Sequence, residues 1–571
     1  MRFPSFFDFR NLTPRTAELF RDKQYSVKYF GKDCVSGFIV GVVALPLAMA
    51  FSIASGGTPA QGLWTAIIAG FFVSALGGSR FQIGGPTGAF VIIIFGVIAK
   101  HGMSGLIAAT VIAGILLCVM GIFGLGTFIK YIPYPVTTGF TTGIGVLIFS
   151  GQVKDFLGLR IENSSPEFFT KWFEYIKMIN TIDMATVSIG MGTLIIIILV
   201  RIFSPRIPGA VAGVFFVTIL AYFGNIHIET IATRFGGIPS GIPVPEMPYI
   251  SWEVVVDVFP SAVTIALLSA IESLLSAVVA DSMTGDVHNS NTELIAQGIG
   301  NIASGVFGCI PATGAIARTA TNIKAGAVSP VSGVMHSVTL VLFVLFFSGA
   351  ASQIPLACLS AVLMAVSWDM SNMPRFIRII KTAPKSDISV LITTFVLTVI
   401  VDLTFAVEVG VVLAVFLFMR RMIEMGNIKP GNEELIKELA YGRDKTKEPG
   451  YINLLAKKNI EVYEINGPFF FGVADMLQTT LRKMSRAPEK IILRMRDVPA
   501  IDTTGIAALE SLLINCKKNK TTLVITEVRE QPLKALKNSG FFEAIGKCNV
   551  TRTLEDALEP QSSVLENKID V

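Results

Sequence analysis

The sequence predicts a polytopic α-helical membrane protein of about fourteen transmembrane segments, followed by a small soluble α/β domain. Three observations carry this prediction. The 571 residues are 52% hydrophobic and only 16% charged, and the mean hydropathy is +0.63, too apolar for a soluble protein of several domains. Of the 89 charged residues, 42 lie in the last 143 positions, after Ile428, so a charge-poor body and a charge-rich tail share one chain. Apolar runs of about 20 residues, the length that crosses a hydrocarbon core about 30 Å thick, recur from Val35 to Met419 with short turn-rich joints.

In chain order, residues 1–34 form an arm too charged and aromatic for a signal peptide, with Arg2, Arg10, Arg15, Arg21, Lys23, Lys28 and Lys32. Residues 35–425 form the membrane body. Its candidate spans centre on Val43, Ile68, Ile93, Ile115, Gly143, Ile195, Val214, Leu267, Ile299, Ala320, Leu340, Leu363, Thr394 and Val412. An even number places both termini on one side. The basic arm, the loop with Arg375, Arg378, Lys381 and Lys385, and the Arg420/Arg421 pair make that side the cytoplasm of a cell whose inner or plasma membrane holds the protein. The loop between Gly158 and Asp183 is amphipathic and suits the interface; within it Asn163-Ser164-Ser165 matches a glycosylation pattern of low specificity.

Charge, Pro and Gly mark residues 426–450 as a linker. From 451 to 560 the pattern changes to strands (Val462–Ile465, Lys490–Met495, Thr522–Thr526) alternating with amphipathic helices (Ala474–Arg486, Gly505–Asn519). Residues 561–571 are a tail.

Several function classes are disfavoured. The net charge of +5 is a topology signal and not a nucleic-acid patch. Six scattered cysteines without a C-x-x-C indicate neither a disulfide framework nor a zinc site, and the four histidines are isolated. There is no G-x-x-x-x-G-K-[ST], so ATP drive is unsupported and transport would draw on an existing gradient. No catalytic dyad, metal cluster or cofactor fingerprint argues for an enzyme.

An internal repeat points to a site. Gly84-Gly85-Pro86-Thr87-Gly88-Ala89-Phe90 is matched by Ile310-Pro311-Ala312-Thr313-Gly314-Ala315-Ile316, each third in a set of about seven segments. A repeat with an odd number of spans is inserted upside down relative to its partner, which gives a seven-plus-seven inverted repeat. Short, Gly/Pro-interrupted segments at matching places predict discontinuous helices whose N-termini meet in mid-membrane. Their free N–H groups and positive dipole ends attract an anion without a formal cation. Gly88, Ala89, Gly314 and Ala315 would admit close approach, and Thr87 and Thr313 would add hydroxyls. The bland alternative is helix-packing glycines and a chance tripeptide.

Glu272 lies 41 residues before Thr313, as Pro46 lies 41 before Thr87, so the two occupy equivalent helices. A carboxylate in lipid is costly unless paired or protonated, the property a proton-coupling group needs. Pairing with Arg318 is the structural alternative, and Arg318 could instead supply positive potential beside the anion.

These residues resemble the sulfate permease (solute carrier 26) family of anion transporters. The resemblance rests on Gly41-Val42-Val43-Ala44-Leu45-Pro46-Leu47-Ala48-Met49-Ala50-Phe51, the Gly-Pro-Thr-Gly of the third segment, Ala280-Asp281, the run from Asn291 to Gly298 with Asn301, and the run from Thr313 to Asn322. The tail is similar to that family's STAS domain through Ile501-Asp502-Thr503-Thr504-Gly505. The resemblance implies core and gate subdomains, an elevator motion and a homodimer involving the STAS domain. It implies substrate contacts from Thr87, Gly88, Ala89, Gly314, Ala315, Ile316, Ala317 and Arg318.

Glu272 falls where proton-coupled members carry a glutamate, and with Ser276 and Ile316 in place of the sodium-linked pattern, a proton is favoured over sodium. Sulfate, bicarbonate or a dicarboxylate would be the cargo; no cofactor or metal is implied. A sodium-coupled bicarbonate symporter, an exchanger and an anion channel with regulatory STAS output remain alternatives, and a nucleobase:cation symporter is disfavoured by the STAS tail. Thr503 matches a position that is phosphorylated in bacterial anti-sigma antagonists, while Asp502 and Thr503 also suit a helix cap.

Overall fold

A helix satisfies its own backbone in lipid, so apolar runs joined by tight turns can only build a helical body there. The computed structural model describes residues 12–21, 25–129, 133–161, 165, 167–204, 207–245, 252–401, 403–430, 459–482 and 488–558. Asn163 and Ser164, most of the 426–450 linker, most of the 1–34 arm's first third and the 561–571 tail lie outside them. The chain divides into two compact units, residues 1–414 and 415–571.

The first unit runs α1 (Arg15–Arg21), α2 (Val27–Ala54), α3 (Pro59–Leu76), β1 (Gly84–Gly85), α4 (Val91–Ile122), α5 (Gly126–Ile129), α6 (Tyr134–Leu157), α7 (Phe168–Lys177), α8 (Met184–Phe203), α9 (Gly209–Phe223) and α10 (Ile231–Phe235). It continues with α11 (Trp252–Thr284), α12 (Ser290–Val306), β2 (Thr313–Gly314), α13 (Ile316–Lys324), α14 (Val331–Ala351), α15 (Leu356–Ser371), α16 (Met373–Thr382) and α17 (Lys385–Ile400), and ends within α18 (Leu403–Met425).

All fourteen predicted centres fall inside helices, with Ile93 and Ile115 sharing α4. That helix breaks at Gly102, whose φ of 68° and ψ of −174° are not helical. By length and composition, eight helices among the described residues can cross a membrane. Several other candidates are shorter, such as α12 with 17 residues and α13 with 9.

The first span starts earlier than Val35. The side chain of Ser26 accepts from Tyr29 N and caps a helix that begins at Val27, so the charged end of the arm is already helical. Asp33, fully buried, explains why. Its carboxylate accepts from Val328 N (2.8 Å), Ser329 N (3.2 Å) and Ser329 Oγ (2.6 Å), fixing the α13–α14 turn against α2. Glu293 of α12 acts alike on the turn after α3, accepting from Gly78 N and Ser79 N. Each buried carboxylate thus finds paired backbone donors.

The second unit holds a five-stranded sheet in the order β3 (Asn427–Pro430), β4 (Ile460–Asn466), β5 (Lys490–Asp497), β6 (Thr522–Thr526) and β7 (Val550–Thr551). The first pair is antiparallel and the rest parallel. Around it are α19 (Phe471–Arg482), α20 (Thr503–Lys518), α21 (Glu530–Asn538), α22 (Phe541–Ile545) and α23 (Leu554–Leu558).

Alternation along the strands sends Val462, Ile492 and Val524 to a core with α23, while Tyr463, Leu493 and Ile525 join the larger core with α19 and α20. The linker boundary needs correction, because residues 427–430 pair with β4 and belong to this sheet. Asp502 caps α20, its Oδ1 accepting from Gly505 N at 2.8 Å, and Thr503 is exposed at the first helical position. Capping is therefore the role the fold gives Asp502.

Candidate functional site

The two repeat segments enter the core as extended backbone and need partners for it. They supply each other's: β1 and β2 pair antiparallel, Gly84 opposite Gly314 and Gly85 opposite Thr313. Side chains from flanking helices complete the frame. Thr65 of α3 donates to Ile310 O and accepts from Ile310 N. Asn301 of α12 likewise donates to Ala312 O (2.9 Å) and accepts from Ala312 N (2.9 Å).

From this crossing two helices start in sequence-equivalent places. One begins at a short 3-10 turn, Gly88–Phe90, that runs into α4; the other is α13, from Ile316. Neither Thr87 nor Ala315, the two N-cap residues, places a side chain on its helix end. The first-turn N–H groups of α13, at Ile316, Ala317 and Arg318, precede the first helical bond, Thr319 N to Ala315 O (2.9 Å). These donors and the dipole make each end attractive to an anion.

The predicted residues meet here in distinct ways. Thr87 donates its hydroxyl to Glu272 Oε2 at 2.9 Å. Gly88 and Ala89 are buried, and a Cβ on Gly88 would stand 2.7 Å from Met370 Sδ and 2.9 Å from Ile148 Cδ1. Thr313 is turned away from any ligand: its hydroxyl donates to Ser269 O (3.0 Å) and lies 2.8 Å from Ser273 Oγ. Gly314 N donates to Ser273 Oγ (3.0 Å) and Ala315 N to Ile83 O (2.8 Å). Ile316 and Ala317 are exposed. Ser276 donates to Thr319 Oγ1 (3.1 Å), which occupies its hydroxyl.

Arg318 is 2% exposed. Its Nη2 donates to Pro86 O at 3.0 Å, tying one half-helix approach to the other, while Nη1 has no partner among the described residues. The anticipated structural pairing of Glu272 with Arg318 does not form; the Glu272 carboxylate takes the Thr87 hydroxyl instead. The guanidinium occupies the space that a side chain on Gly85, at φ +150°, would need. A buried cation without a carboxylate projects its field on the neighbouring half-helix ends.

Residues that sequence reasoning passed over include Thr65, Gln82 and Ser273. Gln82 donates to Ser273 O (3.0 Å) and fills the place of a Gly314 side chain. Their signal was present, as polar groups in otherwise apolar runs. A cavity of about 910 Å3 is lined by Val91 and Ile148 and also by Lys100, Lys154, Asp155, Glu167, Lys171 and Arg234.

Residues 30–394 match the sulfate permease family model and residues 451–557 the STAS domain model. The chain is 42% identical over 529 residues to a Bacillus subtilis (strain 168) protein, YvdB, whose name makes it a candidate sulfate transporter; 92% of this chain and 97% of that one are covered. It is 29% identical over 542 residues to the bicarbonate transporter BicA of Picosynechococcus sp., covering 92% and 94%.

The solved transmembrane domain of a cyanobacterial BicA superposes with a TM-score of 0.59 at 29% identity, covering 68% of this chain and 98% of that one. Murine solute carrier 26 member A9, an anion transporter solved in its inward-facing state, superposes with a TM-score of 0.83 at 17% identity, covering 98% and 96%, a likeness of fold. Eight membrane-length helices, two half-helix ends crossing at β1–β2 and a C-terminal STAS domain agree with these matches: the chain belongs to the sulfate permease family of multi-pass membrane anion transporters.

Proposed function

We propose that the protein is a secondary active symporter that moves a small oxyanion or dicarboxylate together with a proton, and that it is not an enzyme. The observation that carries this reading is the Thr87–Glu272 hydrogen bond of 2.9 Å at the head of one half-helix. It puts the one carboxyl group of the crossing next to the free donors that would hold the anion. When an anion enters, its charge favours a protonated Glu272; when it leaves, the proton can leave too. Thr87 sits between the two and would report occupancy from one to the other.

Arg318 offsets anion charge without being neutralised by a carboxylate. Sodium coupling is less well supported, since Ile316 offers no oxygen side chain. The surface that Gly88 presents to Met370 and Ile148 is made of side-chain tips, which suits an elevator motion of the crossing past α6 and α15. We place both termini in the cytoplasm and take the working unit to be a homodimer.

The experiment is uptake of radiolabelled sulfate, bicarbonate, fumarate and chloride into proteoliposomes at two pH values, with and without sodium. Saturable uptake of one anion, raised by an inward proton gradient and indifferent to sodium, is the expected result; non-saturating conductance would establish a channel instead. Glu272→Gln should abolish gradient-driven uptake and leave folding intact. Unchanged proton dependence in that variant would remove the coupling role.

A further inference from the structure

The helix α7 is amphipathic in the reverse of the soluble sense. Phe169, Phe173 and Ile176, spaced to share one face, are 64%, 70% and 64% exposed, which suits contact with lipid. Lys171 of this helix is turned into the cavity, with its ammonium 5.9 Å from the Phe95 ring centroid of α4. The helix is held in that orientation from behind, where Trp172 Nε1 donates to Ser150 Oγ (3.2 Å).

Lys154 of α6, also half-buried, lines the same cavity. No carboxylate lies within 4.0 Å of either ammonium among the described residues. The neighbouring Arg234, by contrast, is neutralised by Asp155 at 2.8 Å and Glu229 at 3.8 Å. Burial pulls the Lys171 ammonium below the ordinary lysine range, with Glu174 opposing. Two partly buried cations therefore share a cleft with no carboxylate at ion-pair distance among the described residues, and an anion arriving there would offset part of their desolvation. Ile148, which lies against Gly88, also lines this cleft.

We infer that Lys154 and Lys171 form a capture station for a free small anion, one layer outside the half-helix site, which concentrates the cargo before it reaches Thr87. The inference rests on the anion-transport reading above for its role, and on the cleft alone for anion binding. A phospholipid headgroup offers the same negative charge, but the apolar face of α7 points away from the cleft, so a solute anion is its occupant.

Two measurements on the full-length protein test it. In liposomes of phosphatidylcholine, quenching of Trp172, isolated by subtracting a Trp172→Phe sample, is compared for iodide and for uncharged acrylamide. A focusing cleft raises the local anion concentration about tenfold or more. Iodide quenching should therefore fall several-fold in the Lys154→Gln/Lys171→Gln double variant while acrylamide quenching holds. Equal iodide quenching in both proteins would overturn the station, whether or not any anion is transported.

Repeating this with phosphatidylglycerol separates the sources, because lysine-dependent quenching that vanishes only in the anionic lipid would mean a headgroup occupies the cleft and would also overturn the proposal. In uptake assays the double variant should raise KM about tenfold with maximal rate largely kept, and Lys171→Arg should restore most of the loss. A KM that does not move would sink the capture role even if quenching changes. Loss of all transport in wild type, with quenching as expected, would overturn the transport reading and leave the anion cleft standing.

Discussion

The two copies of the Thr-Gly-Ala repeat start equivalent half-helices but have diverged in what their side chains do. On the α13 side the residues are consumed by structure: Thr313 bonds Ser269 and Ser273, Gly314 bonds Ser273, and Gln82 lies where a Gly314 side chain would be. On the α4 side they are held in reserve. The Thr87 hydroxyl bonds to Glu272, and Gly88 faces the side-chain ends of Met370 and Ile148. An inverted repeat therefore supplies the crossing backbone twice, while only the α4 copy sets its threonine hydroxyl against a carboxylate. The other copy contributes through the reach of Arg318 to Pro86.

If this division is right, the largest effect on folding should come from the α13 copy. A methyl on Gly314 would meet Gln82 and approach Ser273 Cα, a backbone atom, at 3.0 Å. Gly314→Ala is expected to cost about 1–3 kcal/mol by overpacking, read as a lower thermal midpoint of the purified protein in detergent. A midpoint within error of wild type would show that the β2 crossing is slack and would break the comparison.

Next in size are the threonines. Thr313→Val removes a fully buried hydroxyl bonded to two partners, so about 1–2 kcal/mol of stability should be lost. Thr87→Val removes one bond at a partly buried position, and about 0.5 kcal/mol or less is expected. Transport should rank them the other way, with Thr87→Val altering the pH dependence of uptake and Thr313→Val keeping its shape. Two variants that behave alike in both assays would mean the copies have not diverged.

Much of this architecture was legible in the residues. Apolar runs of helical length placed every membrane helix centre, because lipid leaves backbone no other solution, and period-two alternation placed the three central strands of the small domain. The repeat itself pointed to Gly88 and Gly314. What the residues could not show was direction. Thr87 and Thr313 stand in identical tripeptides, and whether a hydroxyl faces Glu272 or a helix carbonyl depends on rotations between α11 and the two approaches.

The same limit hid the partner of Glu272. Arg318 was the natural candidate by charge, yet its guanidinium reaches the Pro86 carbonyl. Strand β3 was missed for a different reason: four residues after a charged helix end carry no alternation long enough to read, and its edge position is set by pairing with β4. The loop between Gly158 and Asp183 reads as amphipathic, but its residues do not tell that Phe169, Phe173 and Ile176 of α7 are exposed while Lys171 lines a cavity.

The smallest effect on stability should come from Gly88, and its value lies in separating packing from passage. A Cβ there would crowd Met370 Sδ at 2.7 Å, Ile148 Cδ1 at 2.9 Å and Phe51 Cε1 at 3.2 Å, all ends of side chains that can shift by a rotamer. Gly88→Ala should therefore fold with a midpoint close to wild type, whereas Gly314→Ala should not. The added methyl nonetheless sits at the half-helix end against Ile148, which lines the cleft, so it should narrow the approach to the free N–H groups. Uptake should lose several-fold in KM as the anion grows from chloride to sulfate to fumarate, with the smallest ion least affected. A uniform loss across the three anions would place the obstruction in the sliding surface against α6 and α15, not at the ligand, and the α4 copy would then be a bearing as much as a binding site.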